Sequence, residues 1–152
     1  MNYTQFSSDR LLNILQLGKR MHEESSYASL PFDAEKAAGA IMQLVVDNDS
    51  GFGVIAYDED TPVGLIAGGI GSRWFSPSLY AYDHVWYVVP EYRGSRTAIR
   101  MLKMFESWAK DQGAEELWMG VTTNIDPERT GSLFTRLGYE HVGGNYKAVL
   151  HV

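Results

Sequence analysis

The most informative stretch of this sequence is Trp86-Tyr87-Val88-Val89-Pro90-Glu91-Tyr92-Arg93-Gly94-Ser95-Arg96-Thr97-Ala98. A β-rich segment ends at Pro90, a short Arg-Gly turn follows, and a helical pattern begins at once. A helix N-terminus offers main-chain N–H groups and a partial positive charge, which together bind phosphate groups. Gly94 lets the main chain approach a ligand closely, and Ser95 can cap the helix. The stretch therefore predicts a strand, a turn and a helix that form an anion-binding cradle.

The spacing of apolar residues predicts the other helices and strands. We expect a strand over 2–6, a helix from Ser8 or Asp9, a helix from Asp33 that stops at 47–51, strands over 52–57, 63–70 and 80–88, the helix behind the turn to Gln112, a strand through Leu117, Met119 and Val121, a helix over 128–137 led by Pro127, and two short strands around a Gly143-Gly144 turn. In the first helix, the side chains expected to face inward are Leu11, Leu12, Ile14, Leu15 and Met21. This order predicts a single α/β domain of the α+β type over residues 1–152, with a mixed, mainly antiparallel sheet flanked by helices.

Composition narrows the classes of function. The 152 residues carry a formal net charge of −6, and 45% of them are hydrophobic. No apolar run reaches the roughly 18 residues of a membrane span, and no signal pattern begins the chain, so we expect a soluble, cytoplasmic protein. Cysteine is absent and the four histidines lack ligand-type spacing, so no metal site or disulfide is predicted. The negative charge disfavours nucleic-acid binding and favours cationic substrates such as amines.

Two stretches resemble a known family. The pattern Val88-x-Pro90-x-x-Arg93-Gly94, followed by Ala98, resembles motif A of the GNAT superfamily, the acyl-CoA-dependent N-acetyltransferases. Arg93 and Ala98 fill its first and last places, whereas Arg96 stands where the family normally has glycine. The run from Phe134 to Tyr139 is similar to the late helix and Leu-Gly-Phe/Tyr turn of the same family. The resemblance implies a GNAT-like fold with a splayed strand pair at the cofactor site.

The resemblance also implies a donor and a set of binding residues. The donor is acetyl-CoA, and the backbone N–H of Val88 polarises its thioester carbonyl. Residues of the cradle hold the pyrophosphate, and the Arg96 guanidinium can pair with phosphate even though it replaces glycine. Asn124 resembles the asparagine that contacts the pantetheine arm, and Phe134 occupies the place of the tyrosine that often serves as general acid. The expected cofactor-binding residues are thus Val88, Arg93, Gly94, Ser95, Arg96, Thr97, Ala98, Asn124 and Phe134.

A general base is harder to predict. Amide formation needs a neutral amine, a polarised carbonyl and a protonated leaving thiolate. Strand alternation predicts that Tyr82, His84 and Trp86 share the face of Val88, and that Asp83 faces the other way. A histidine that titrates near neutrality suits the role of base, although His84 is equally compatible with simple packing. Glu24, in the loop expected on the acceptor side, is either a base, a ligand for a cationic substrate or a solvated carboxylate. The catalytic candidates are His84, Tyr82 and Glu24.

Two functions follow from these features. The first is transfer of an acetyl group from acetyl-CoA to a primary amine of a small molecule or a protein. The alternative is a catalytically silent acyl-CoA-binding or protein-binding module on the same fold, which the Arg96 and Phe134 departures keep open. The run 22–33 is similar to short acetyltransferases encoded by tailed bacteriophages, which would place the protein in the host cytoplasm. Because homodimers are common in the family, the resemblance is also compatible with a homodimer.

Overall fold

A five-stranded sheet forms the centre of the protein in a computed structural model, which describes residues 1–46 and 50–150. The strands lie side by side in the order in which they occur in the chain. The first four strands form three antiparallel pairs. The last strand is parallel to the fourth. The strands are β1 (Asn2–Gln5), β2 (Gly51–Asp58), β3 (Thr61–Ser72), β4 (Leu79–Val88) and β5 (Glu116–Trp118). The sheet is therefore mixed and mainly antiparallel, as predicted.

Four helices flank the sheet, namely α1 (Leu11–Glu24), α2 (Ala34–Val46), α3 (Thr97–Asp111) and α4 (Pro127–Arg136). A 3₁₀ turn at Ser8–Arg10 leads into α1. The Asp33 carboxylate accepts a hydrogen bond from the Lys36 N–H at 3.0 Å, which confirms the predicted start of α2. Pro127 opens α4, also as predicted. The predicted stop of α2 falls largely on residues 47–49, which lie outside the described residues.

The core lies on both faces of the sheet. On one face α3 packs so closely that a Cβ placed on Gly68 would overlap the Phe105 ring, and one placed on Gly64 would lie 3.1 Å from the Met101 methyl group. Helix α1 packs on the other face of β3 through Ile14 and Leu17. Burying each large apolar side chain stabilises the fold by roughly 1.5–3 kcal/mol, so these contacts fix α3 and the turn before it against the sheet.

A β-bulge interrupts β4 at His84. Val85 pairs with Ala67 and Asp83 pairs with Gly68, so His84 has no partner in β3. An extra residue in one strand reverses the alternation of side chains beyond it. Tyr82 therefore lies on the face opposite Val88, against Gly69, whereas Val88 lies on the α3 face against Gly64. The expectation that Tyr82 and Val88 share a face is wrong for this reason.

Two further expectations fail. In α1, Ile14 is buried and Leu11, Leu15 and Met21 are partly buried, as expected, but Leu12 is 81% exposed. Leu12 lies on the side of the helix opposite Ile14 and Leu17, which face the sheet. The strands predicted around Gly143-Gly144 are absent, since residues 140–150 have no strand structure and lie exposed. A strand needs a neighbouring edge to satisfy its main-chain groups, and this segment pairs with none. Within the described ranges, no helix combines the length and the apolar character needed to cross a membrane.

Candidate active site

The strands β4 and β5 separate after a short common ladder. Only Tyr80, Ala81 and Tyr82 pair with β5, and the rest of β4 runs on alone to Val88. The Val89 N–H donates to the Val63 carbonyl at 2.9 Å on the β3 side. Because successive N–H groups of a strand point to opposite edges, the Val88 N–H points into the gap that β5 leaves. A cavity of about 700 Å³ fills this gap and extends between α3 and α4.

The turn before α3 has the strand–turn–helix geometry expected from the sequence. Gly94 has φ +88, a conformation that favours glycine, and it lines the cavity. The Ser95 hydroxyl donates to the Tyr92 carbonyl at 2.6 Å and accepts from the Thr97 N–H at 3.3 Å, which fixes the entry to the helix. Ala98 and Ile99 also line the cavity. Since the first N–H groups of a helix have no intrahelical acceptor, the N-terminus of α3 presents donors to this space.

The Arg93 guanidinium forms hydrogen bonds to two other groups of the protein, the Glu24 carboxylate and the Val88 carbonyl. Its Nη1 and Nη2 donate to the two Glu24 carboxylate oxygens at 2.5 and 2.9 Å, and its Nε donates to the Val88 carbonyl at 2.9 Å. The Tyr87 hydroxyl donates to the same carboxylate at 2.8 Å. The hydrogen bond from Arg93 holds the pKa of Glu24 below its ordinary value. The structure places Glu24 at the last residue of α1 rather than in the loop where it was expected, and its carboxylate joins the end of this helix to Arg93 and Tyr87.

Asp83 and His84 both line the cavity at the bulge. The Asp83 carboxylate accepts a hydrogen bond from the Gly120 N–H at 2.9 Å, across the point where the ladder between β4 and β5 has ended. Burial raises the pKa of Asp83 above its ordinary value, although the Gly120 N–H opposes the shift. His84 is exposed, and its ring packs edge-on against Tyr82. No local pattern marks the bulge, so strand alternation placed Asp83 on the wrong face.

The loop between α1 and α2 closes the other side of the cavity. The Ser26 N–H donates to the Thr123 carbonyl at 2.8 Å, and the Ser26 hydroxyl donates to the Thr122 carbonyl at 3.1 Å. Tyr27, the next residue, lines the cavity together with Thr122 and Thr123. The cavity thus extends from the N-terminus of α3 to residues on its other side that include Tyr27, Asp83 and His84.

The structure brings half of the expected residues to the cavity. Those that line it are His84, Val88, Arg93, Gly94, Ser95 and Ala98. The others are not among the lining residues, namely Tyr82, Glu24, Arg96, Thr97, Asn124 and Phe134. Phe134 is buried, with its ring centroid 5.3 Å from those of both Trp86 and Tyr139. The Phe134 side chain is therefore packed among other side chains of the protein and does not face the cavity.

Arg129 is a lining residue that the sequence reading missed. A Cβ placed on Gly94 would lie 3.2 Å from Arg129 Nη2, so this guanidinium stands directly at the cradle. No local pattern marks Arg129, because its approach to Gly94 depends on where α4 lies relative to the turn before α3.

Comparison with known proteins identifies the family of this chain and solved structures that share its fold. A sequence profile of the acetyltransferase (GNAT) family matches residues 10–139. No curated protein matches the sequence. Among solved structures, the chain is similar to the aminoglycoside 6'-N-acetyltransferase AAC(6')-Ih from Acinetobacter baumannii, with a TM-score of 0.77, 19% identity, and coverage of 99% of this chain and 98% of that chain.

Two further solved structures share the fold. Aminoglycoside 6'-N-acetyltransferase AAC(6')-IG from Acinetobacter haemolyticus has a TM-score of 0.76 at 17% identity, with coverage of 100% of this chain and 99% of that chain. AAC(6')-Iy in complex with the bisubstrate analog CoA-S-monomethyl-acetylneamine has a TM-score of 0.75 at 15% identity, with coverage of 99% and 98%. The profile match spans most of the sequence, and the chain therefore belongs to the acetyltransferase (GNAT) family, an enzyme family that uses acetyl-CoA as its acyl donor.

Proposed function

We propose that the protein transfers the acetyl group of acetyl-CoA to a primary amine by direct attack, in the cavity between β4 and β5. The observation that carries this proposal is the convergence of two features on one space, namely the Val88 N–H, which points into the gap, and the cradle at the N-terminus of α3. The cradle suits a pyrophosphate, and a cavity of about 700 Å³ has room for a slender pantetheine arm beside it. The residues present therefore fit the donor.

Acetyl-CoA, when bound, supplies a thioester whose carbonyl carbon forms a bond to the amine nitrogen while the carbon–sulfur bond breaks. The Val88 N–H polarises the carbonyl oxygen and stabilises the negative charge that develops on it. Asp83 accepts the proton that the amine nitrogen releases, because its carboxylate lines the cavity and its raised pKa makes it a stronger base than an ordinary aspartate. His84 also lines the cavity and is the second candidate for this proton.

The thiolate needs a proton from another source. Phe134 holds the place at which related enzymes often carry a tyrosine, and its ring has no proton to give. Water that enters the open cavity supplies this proton in our proposal.

The acceptor is a cationic amine in this proposal. Asp83 lines the cavity and forms no ion pair with a Lys or Arg within the described residues, whereas Arg93 and Arg129 lie beside the cradle. A carboxylate without a paired cation attracts an amine in its ammonium form before the proton is lost. The named relatives with this fold act on aminoglycosides, which supports testing those amines first. Small monoamines, polyamines and lysine-containing peptides are the other acceptors to be tested.

A direct test measures thiol release from acetyl-CoA with each amine, by wild-type protein and by Asp83→Asn. Asparagine keeps an oxygen that can accept from the Gly120 N–H, so the substitution removes the base and preserves the hydrogen bond. We expect a decrease in kcat of roughly 10²–10⁴-fold with little change in the affinity for acetyl-CoA. Asp111→Asn, at the exposed end of α3, is the control with the same change in charge.

A retained rate in Asp83→Asn together with a lost rate in His84→Gln would assign the base to His84 instead. If every amine fails although acetyl-CoA binds, the chain is a catalytically silent acyl-CoA-binding module. The buried Phe134 favours that second candidate, since no phenol is available where relatives have one.

We also infer that the reaction takes place in the cytoplasm, where acetyl-CoA is available. The resemblance of residues 22–33 to bacteriophage acetyltransferases supports the host cytoplasm as the place of action. A homodimer is compatible with the family resemblance. Light scattering of the purified protein measures its mass and would contradict the dimer if it returned that of one chain, 17.1 kDa.

A further inference from the structure

Arg129 lies on the first turn of α4, and its guanidinium reaches the cradle in front of α3. The distance from Nη2 to a Cβ placed on Gly94 would be 3.2 Å. The start of α4 is held by Pro127 and by the Asp126 carboxylate, which accepts a hydrogen bond from the Arg129 N–H at 3.3 Å. Asp126 itself has φ 44, which turns the chain sharply into the helix. The local fold of the α4 terminus therefore directs the Arg129 side chain towards Gly94.

The other two arginines of the cradle are not available to a ligand in the same way. The Arg93 guanidinium is occupied by Glu24 and by the Val88 carbonyl. Arg96 is exposed, and it is not among the residues that line the cavity. In contrast, Arg129 lines the cavity, and its guanidinium makes no hydrogen bond or ion pair with any residue that the structure describes. Arg136 also lines the cavity, but it lies two turns further along α4, at the opposite end of that helix. Among the described residues, Arg129 is thus the unpaired arginine whose guanidinium lies next to Gly94.

We propose that Arg129 is the side-chain ligand of the cofactor pyrophosphate, which it holds against the main-chain N–H groups of α3. This inference rests on the proposed function, because it takes acetyl-CoA to be the molecule in the cavity. A guanidinium presents a planar pair of donors that match two phosphate oxygens, and such charge-assisted bonds are stronger than neutral ones. The Asp126 carboxylate accepts a hydrogen bond from the Arg129 main-chain N–H and not from its guanidinium.

The proposal also accounts for Arg96, which replaces a glycine of the family pattern. With its side chain outside the cavity lining, Arg96 leaves the cradle open to the pyrophosphate. The positive charge that the phosphates need comes from α4, across the cavity. Helix α4 then contributes to cofactor affinity through a residue distant in sequence from the motif that forms the cradle.

Calorimetric titration of wild-type protein, Arg129→Gln and Arg100→Gln tests this role. The ligands are CoA, dephospho-CoA, which lacks only the 3'-phosphate, and pantetheine, which has no phosphate. Arg100 is an exposed α3 residue that contacts Tyr3 and does not line the cavity, so its substitution controls for the loss of one positive charge. We expect Arg129→Gln to weaken CoA and dephospho-CoA alike, by roughly 10–100-fold, and to leave pantetheine within about twofold of wild type. Arg100→Gln is expected to bind all three ligands as wild type does.

Each alternative outcome is distinct. A loss for CoA without a loss for dephospho-CoA would assign Arg129 to the 3'-phosphate and overturn the pyrophosphate contact. An equal loss for pantetheine would mean that the substitution disturbs the cavity, and unchanged CoA affinity would mean that Arg129 contacts no phosphate; either result overturns the proposal. Wild-type protein that binds no CoA would overturn the proposed function as well, whereas a failure confined to Arg129→Gln leaves that function intact.

Discussion

Replacing Glu24 with glutamine tests the contact that joins α1 to the cradle. The carboxylate accepts two hydrogen bonds from Arg93 and one from the Tyr87 hydroxyl. Glutamine keeps nearly the same size but has one acceptor oxygen and no charge, and its NH₂ group would face either the guanidinium or the hydroxyl. The substitution therefore breaks the two-pronged ion pair without creating a large cavity.

The size of the effect follows from the exposure of the pair. The Arg93 and Glu24 side chains are 28% and 29% exposed, so solvent screens the pair only in part. A hydrogen bond to a charged group contributes roughly 1.5–3 kcal/mol, and we place the cost of Glu24→Gln at about 2 kcal/mol of unfolding free energy. For a chain of this length, that is a decrease in Tm of roughly 4–8 °C at pH 7.

The dependence on pH gives the sharper test. Because the pKa of Glu24 is lower in the folded protein than its ordinary 4.5, the charged carboxylate stabilises the fold above that value. This stability is lost as the pH falls through the folded-state pKa, where Glu24 takes up a proton. Thermal melting followed by circular dichroism should therefore show a gap between wild type and Glu24→Gln that is full at pH 7 and shrinks below pH 4.5.

The pair Arg20–Glu91 provides a matched control. Arg20 Nη2 donates to both Glu91 carboxylate oxygens, at 2.6 and 2.8 Å, but the two side chains are 44% and 61% exposed. Glu91→Gln should therefore leave Tm unchanged within error. If Glu24→Gln melts as Glu91→Gln does, or if the gap to wild type stays constant down to low pH, the ion pair does not stabilise the fold and our reasoning is wrong.

Two substitutions of glycine test the packing around the site. Gly94→Ala forces a residue with a Cβ into φ +88 and towards the Arg129 guanidinium, so we expect a loss of about 1–2 kcal/mol in stability and weaker CoA binding, measured by melting and calorimetry. Binding equal to wild type would show that the turn does not approach the ligand. Gly68→Ala brings a Cβ within 2.4 Å of both the Phe105 ring and the Tyr82 carbonyl oxygen, and we expect denaturant unfolding to show a loss of roughly 1–3 kcal/mol or more. Gly113→Ala is the control for Gly94→Ala, because Gly113 has nearly the same φ, +87, but no atom lies within 4 Å of the added methyl group. Its loss of stability therefore measures the backbone strain alone.

Local sequence patterns were sufficient for most of the fold. Several residues determine the structure of the few positions next to them, through main-chain hydrogen bonds and fixed φ angles. They are the proline, glycine and serine of the cradle, Asp33 at the start of α2, and Pro127 at the start of α4. Apolar spacing likewise depends only on the period of a helix or a strand, so it placed β2, β3, β4 and α3 close to their observed bounds. These features made the family resemblance visible in the sequence.

The identity of the groups at the site was decided by contacts between distant parts of the chain. The bulge at His84 depends on how β4 registers with β3, and it moved Asp83 to the cavity and Tyr82 away from it. Glu24 and Arg93 form an ion pair although 69 positions separate them in the sequence, and Arg129 lies near Gly94 although 35 positions separate those two. The strands expected after Gly143 failed for the same reason, since a strand forms only against an edge that pairs with it. The sequence by itself determined the local elements and the cradle, whose hydrogen bonds close within one turn, whereas the register of the sheet and the packing of α1 and α4 determined which side chains face the cavity.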